Sequence, residues 1–157
     1  MKPETSETVS QRYIEKAIFF LGVIVSLLHI YFNIFAILPN LLQNSLHFSG
    51  FALLCALVYP LRKTKDSPRS RLSLFIDLSI GVTAAVCAIY MISMEDAIYA
   101  RGVHLSRSEW IAGTLLIFTA IEFTRRTTGW IIPVLIILAL SYVGWWGSLI
   151  GGVFKFS

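Results

Sequence analysis

Apolar residues gather along this chain in five runs, over residues 17–38, 46–59, 72–94, 110–121 and 131–150, with short polar stretches between them. A helix rises 1.5 Å per residue, so a hydrocarbon core of ~30 Å takes about 20 residues to cross. The first, third and fifth runs reach that length unaided. The second and fourth reach it only with flanking residues such as Ser45, His47, Ser108 and Thr124. Backbone groups in lipid must pair within their own segment, so each run is expected as a helix. The expected spans cover about 16–38, 45–61, 72–94, 108–124 and 129–150, after a polar tail at 1–12. The fold class is all-α: a polytopic membrane helical bundle of four to five transmembrane helices.

The polar stretches carry an ordered charge pattern. Lys2, Arg12 and Lys16 precede the first run. The first connection, 39–45, has no charge. The second holds Arg62, Lys63, Lys65, Arg69 and Arg71, and the fourth holds Arg125 and Arg126. The third connection, 95–109, mixes Glu95, Asp96, Arg101, Arg107 and Glu109, and the tail adds Lys155. Basic residues thus concentrate at alternate ends of successive runs, which places the N-terminus in the cytoplasm. Tyr59, Trp110, Trp130, Trp145 and Trp146 lie near run ends, where amphipathic rings favour the interface. Pro39 and Pro60 sit at run ends. Pro133 is expected either as an early-turn proline or as a mild kink.

Composition agrees. The chain of 157 residues is 56% hydrophobic and 14% charged, with a mean hydropathy of +0.73. Soluble domains carry roughly 25% charged residues. The net charge of +4 is explained by topology, and no nucleic-acid partner is expected. Cys55 and Cys87 lie singly in apolar runs without a CxxC pair, so inert buried thiols are expected. The first apolar run is too long for a signal-peptide core and lacks a small-x-small cleavage site.

Candidate chemistry is sparse. Ionisable residues within or beside membrane spans are functional candidates by default. Asp77 lies about one and a half turns into the third run. Glu122 closes the fourth and faces Arg125 and Arg126 at i+3 and i+4. One reading is an interfacial charge cluster that fixes helix depth. The other is a single network between helices or subunits made by Asp77, Glu122, Arg125 and Arg126. A haem held between helices needs histidines at matched depth, and His29 and His47 are expected to differ by roughly 8 Å. A packing or hydrogen-bonding role is therefore expected for both. Gly22, Gly81 and Gly113 are expected to allow close helix packing. No phosphate-binding loop, dinucleotide fingerprint or nucleophile–base pair occurs, so no enzymatic activity, catalytic residue, cofactor or metal site is expected.

Several motifs, in order, carry a resemblance. His47-Phe48 opens an apolar run closing on Val58-Tyr59-Pro60. Asp77 and Tyr90 share the third run, and Glu109 and Gly113 open the fourth. Glu122-Phe123-Thr124-Arg125-Arg126-Thr127-Thr128-Gly129-Trp130 follows, and then Tyr142. Over residues 13–152 the chain resembles the small, DctQ-like membrane domain of tripartite ATP-independent periplasmic (TRAP) transporters. In particular it resembles the N-terminal part of fused permeases that work with TAXI-type binding proteins. Phe123 departs from the small residue usual in the signature.

The resemblance implies a scaffold in a bacterial inner membrane, supporting sodium-driven uptake of an organic acid. The implied partners are a large TRAP permease portion, fused or separate, a periplasmic TAXI-type substrate-binding protein, and the lipid bilayer. Residues 153–157 would begin the connection to the large portion, which would hold the substrate and sodium sites. Asp77, Glu122, Arg125, Arg126 and Gly129 are the expected structural or assembly residues. Two other readings stay open: a free-standing helical membrane assembly or lipid-associated subunit, and a membrane oxidoreductase using His29 and His47.

Overall fold

Amides in a long apolar run have few polar side chains nearby to satisfy them, and a helix pairs them within the segment. The computed structural model of the chain describes residues 6–36, 38–61, 69–102 and 104–149, and every regular element among them is helical. The chain divides into two compact units, Met1–Ala120 and Ile121–Ser157. The basic residues Lys2, Arg62, Lys63, Lys65 and Lys155, and the expected connection at 153–157, lie outside the described residues.

In the first unit, α1 (Ser6–Ile34) is followed by α2 (Asn40–Val58) and α3 (Arg71–Ser93). A short α4 (Glu95–Ala100) precedes α5 (Arg107–Thr128), whose last turns belong to the second unit. Three of these helices are long and apolar enough to cross a membrane: α1 over Gln11–Ile34, α2, and α3. At 22 residues α5 has the length, but Arg107 and Glu109 at one end and Glu122, Arg125 and Arg126 at the other make it less apolar.

Several boundaries differ from those expected. Residues 6–12, expected as a polar tail, form the first turns of α1. The first connection shrinks to the residues around Pro39, because α2 starts at Asn40. Residues 40–45 are polar enough to interrupt an apolar run, yet contain no glycine or proline to stop a helix. The expected third connection contains α4, which ends at Gly102 with φ 68°, the left-handed closure that glycine allows most readily.

The second unit holds α6 (Ile131–Ser141), a π-helical turn at Tyr142–Trp146 and a 3₁₀ turn at Gly147–Leu149. The fifth apolar run is thus not one regular α-helix. Pro133 is the third residue of α6, where its missing N–H would have had no partner in the helix, so it acts as an early-turn proline.

The tightest packing joins α2 to α3. Ser49, Ala52 and Ala56 are buried on α2, and Asp77, Gly81, Ala84, Ala85 and Ala88 on α3. The α3 set recurs every three or four residues, so Asp77 shares its face with the small residues. A Cβ added at Gly81 would lie 2.8 Å from the Ala56 Cβ and 3.2 Å from the Ala52 carbonyl oxygen. The backbones approach this closely only because the facing residues are small. By contrast, α1 is joined along one seam to α2. Val25 packs on Gly50, His29 meets His47, and Gln43 donates from Nε2 to Asn33 Oδ1 at 3.4 Å.

Large apolar side chains cover much of the remaining surface. Phe19, Phe20, Leu27 and Tyr31 of α1, and Leu72, Phe75 and Val86 of α3, are all at least half exposed.

Candidate functional site

Three carboxylates hold arginines at helix ends. The first is at the α2–α3 corner. A helix leaves its last carbonyls without intrahelical donors. Arg69 supplies them: Nη1 donates to the Leu57 oxygen at 2.7 Å and Nη2 to the Ala56 oxygen at 2.6 Å. Nη2 also lies 2.6 Å from Oδ2 of Asp77, whose side chain is fully buried. The other Asp77 oxygen, Oδ1, accepts from the backbone N–H of Leu61 at 3.0 Å, and Ser73 Oγ donates to Oδ2 at 3.4 Å. One carboxylate thus ties the chain leaving α2 to the arginine that closes it.

The second clasp is at the start of α5. Ser106, Arg107, Ser108 and Glu109 have the capping-box spacing, in which the glutamate reaches back to the residue before the helix. Glu109 Oε2 accepts from Ser106 N–H at 2.6 Å, and Oε1 accepts from Arg101 Nη2 at 2.5 Å. Arg101 Nε in turn donates to the Ala97 oxygen near the end of α4. Tyr90, near the end of α3, donates its hydroxyl to Ser108 Oγ at 2.9 Å.

The third clasp lies within the second unit. Glu122 receives a two-pronged contact from Arg125, through Nε and Nη2 at 2.8 Å each, and a further bond from Arg126 Nε at 2.8 Å. The bonds to Glu122 raise the Arg125 pKa above its ordinary value. Its guanidinium lies 5.5 Å from the Trp130 ring centre, and that of Arg126 lies 5.5 Å from the Phe123 ring, both within cation–π range. Phe123 is therefore a buried support for Arg126. Gly129 has φ 80° and donates its N–H to the Arg125 oxygen at 3.0 Å, which ends α5.

The expected assembly residues thus divide between two separately described units. Asp77 takes Arg69 as partner, while Glu122, Arg125, Arg126 and Gly129 form a local corner. Arg69 and Arg101 were not singled out from the sequence. The Ser106-to-Glu109 spacing was a readable signal for Glu109, but nothing local marks Arg69, eight residues before Asp77, as its partner. Chemically, each of the three carboxylates is charge-compensated by a guanidinium, which suits fixing helix ends rather than proton abstraction.

His29 and His47 correct the depth estimate. Their Nδ1 atoms are 2.9 Å apart and their ring centres 4.4 Å. Because α2 begins at Asn40, His47 lies about 10 Å into it, and His29 lies about 7.5 Å before the end of α1. The two antiparallel helices therefore bring them level. No group of three or more His, Cys, Asp or Glu converges among the described residues. Cys55 is half-buried and Cys87 buried, and neither is in a disulfide.

Compared with known protein families, curated proteins and solved structures, the chain matches none.

Proposed function

We propose that this chain is the small, scaffold-type membrane domain of a TRAP transporter. In this reading it lies in a bacterial inner membrane with its N-terminus in the cytoplasm. It crosses through α1, α2, α3, α5 and the α6 segment, and stands still beside a large permease portion that moves an organic acid with sodium. A periplasmic TAXI-type protein delivers the acid.

The observation that carries the reading is the arrangement of the residues behind the resemblance. Asp77 closes the α2–α3 corner, Tyr90 joins α3 to the start of α5 through Ser108, and Glu109 caps α5 and holds Arg101 beside the end of α4. Glu122, Arg125, Arg126, Gly129 and Trp130 make the corner after α5. Asp77, Glu109, Glu122 and Gly129 lie at helix ends and Tyr90 ties two helices together, which supports a scaffold reading. The apolar exterior of α1 and α3 gives a second support, since soluble monomers rarely expose contiguous apolar patches beyond a few hundred Å².

The quickest test is the coding sequence downstream of and adjacent to this chain. A many-span permease frame, fused or neighbouring, is expected together with a gene for a periplasmic binding protein. A chromosome carrying neither in that organism contradicts the proposal.

A further inference from the structure

The α1–α2 seam contains a group that the scaffold reading leaves unused. His29 and His47 face each other through Nδ1, at 2.9 Å, beside an apolar cavity. Val25, Leu28, Phe32, Leu46 and Gly50 line the adjoining cavity of about 90 Å³. The Phe51 ring packs on His47 with centres 4.4 Å apart. Asn33 and Gln43 lie one turn further along and are uncharged. No charged side chain of either helix is among these lining residues.

An Nδ1-to-Nδ1 hydrogen bond fixes the protons. One imidazole carries its proton on Nδ1 and donates, with Nε2 bare. The other carries its proton on Nε2 and accepts through Nδ1. A proton added to the bare Nε2 makes the donor ring an imidazolium, and the Nδ1 bond survives. A second proton has only the accepting Nδ1 left to occupy. It removes the acceptor and sets two cationic rings face to face, with no carboxylate among the lining residues to offset them.

We propose that His29 and His47 form a binding site for one proton that joins α1 to α2 and comes apart on taking up a second. The site is independent of the transporter assignment. Its consequence follows from the packing: the hydrogen bond lies midway along the α1–α2 seam, between the Val25–Gly50 contact and the Asn33–Gln43 bond. The second proton therefore loosens α1 from the α2–α3 pair, whose packing does not involve it.

The test uses the full chain, labelled with ¹⁵N-histidine, in nanodiscs of a bacterial lipid extract with a chelator present. The chain has three histidines, and His104→Gln removes the signal from outside the seam. Nuclear magnetic resonance should detect a coupling between the two Nδ1 atoms across the hydrogen bond at neutral pH. Acidification should first protonate an Nε2 with the coupling retained, and then abolish it. Spin labels at Ile30→Cys and Leu41→Cys, exposed positions outside the seam, with Cys55 and Cys87 replaced by Ser, should report a longer α1–α2 distance at the pH where the coupling disappears. Absence of coupling at every pH would overturn the proposal. So would the same titration of His29 in the His47→Phe variant as in the parent, or an α1–α2 distance that stays fixed after the coupling is lost.

Discussion

Asp77 and Arg69 meet at 2.6 Å where α2 turns into α3, the carboxylate wholly buried and the guanidinium nearly so. The pair joins three polar demands at one point: the open carbonyls of α2, the Leu61 N–H and the two opposite charges. Removing one member leaves the other charged and buried, a change that costs about 3–5 kcal/mol in comparable pairs. Asp77→Ala and Arg69→Ala should each lower the unfolding midpoint in detergent markedly. The double variant Arg69→Met with Asp77→Leu should recover part of the loss. Equal losses in the single and double variants would show that charge pairing is not what matters there.

Gly81 and Gly113 make a matched pair of probes. Gly81→Ala places a methyl against Ala56 and the Ala52 carbonyl, and should destabilise the chain by pushing α2 from α3. At Gly113 an added Cβ meets nothing within 4 Å. Gly113→Ala should therefore be neutral or stabilising by up to ~1 kcal/mol, the helix-propensity gain. Thermal unfolding of the two variants side by side decides the matter.

Gly129 ends α5 in the left-handed region. A side chain there costs roughly 1–2 kcal/mol, while asparagine tolerates the conformation better than most residues. Gly129→Ala should be less stable than Gly129→Asn, and both less stable than the parent, when unfolding is followed by circular dichroism.

The arginine pair separates topology from geometry. Arg125→Lys with Arg126→Lys keeps both charges but loses the fork onto Glu122. It should leave a Thr128→Cys label reachable from the cytoplasmic side only, in a background lacking Cys55 and Cys87. Replacing both arginines with Glu should give mixed or reversed labelling, because basic residues set the retained side. Unchanged labelling in the double Glu variant would remove these residues from the topology argument.

Much of this architecture was legible along the chain, for physical reasons that differ from place to place. Long apolar runs announce helices because lipid-like surroundings leave the backbone no other partner. Glu122 could be assigned to Arg125 and Arg126 because i+3 and i+4 neighbours share a helix face. Helix ends were less legible. Apolarity stops at Leu46, but the hydrogen-bond ladder of α2 reaches back to Asn40, and that shift is what brought His47 level with His29. The partner of Asp77 was hidden because Arg69 reaches it through a turn whose path no periodicity encodes. Glu109 was readable from its capping spacing, although its bond to Arg101 depends on how α4 closes at Gly102.

The central claim is that this chain is a scaffold for a larger transporter. It is tested most directly by affinity purification of the tagged chain from its native membranes in mild detergent, with the co-eluting proteins identified by mass spectrometry. The account predicts a stoichiometric many-span permease of the TRAP type, retained by the parent and lost in Asp77→Ala at a temperature where the variant's corner has opened. A chain that elutes alone or only with itself, from membranes that contain such a permease, would contradict it.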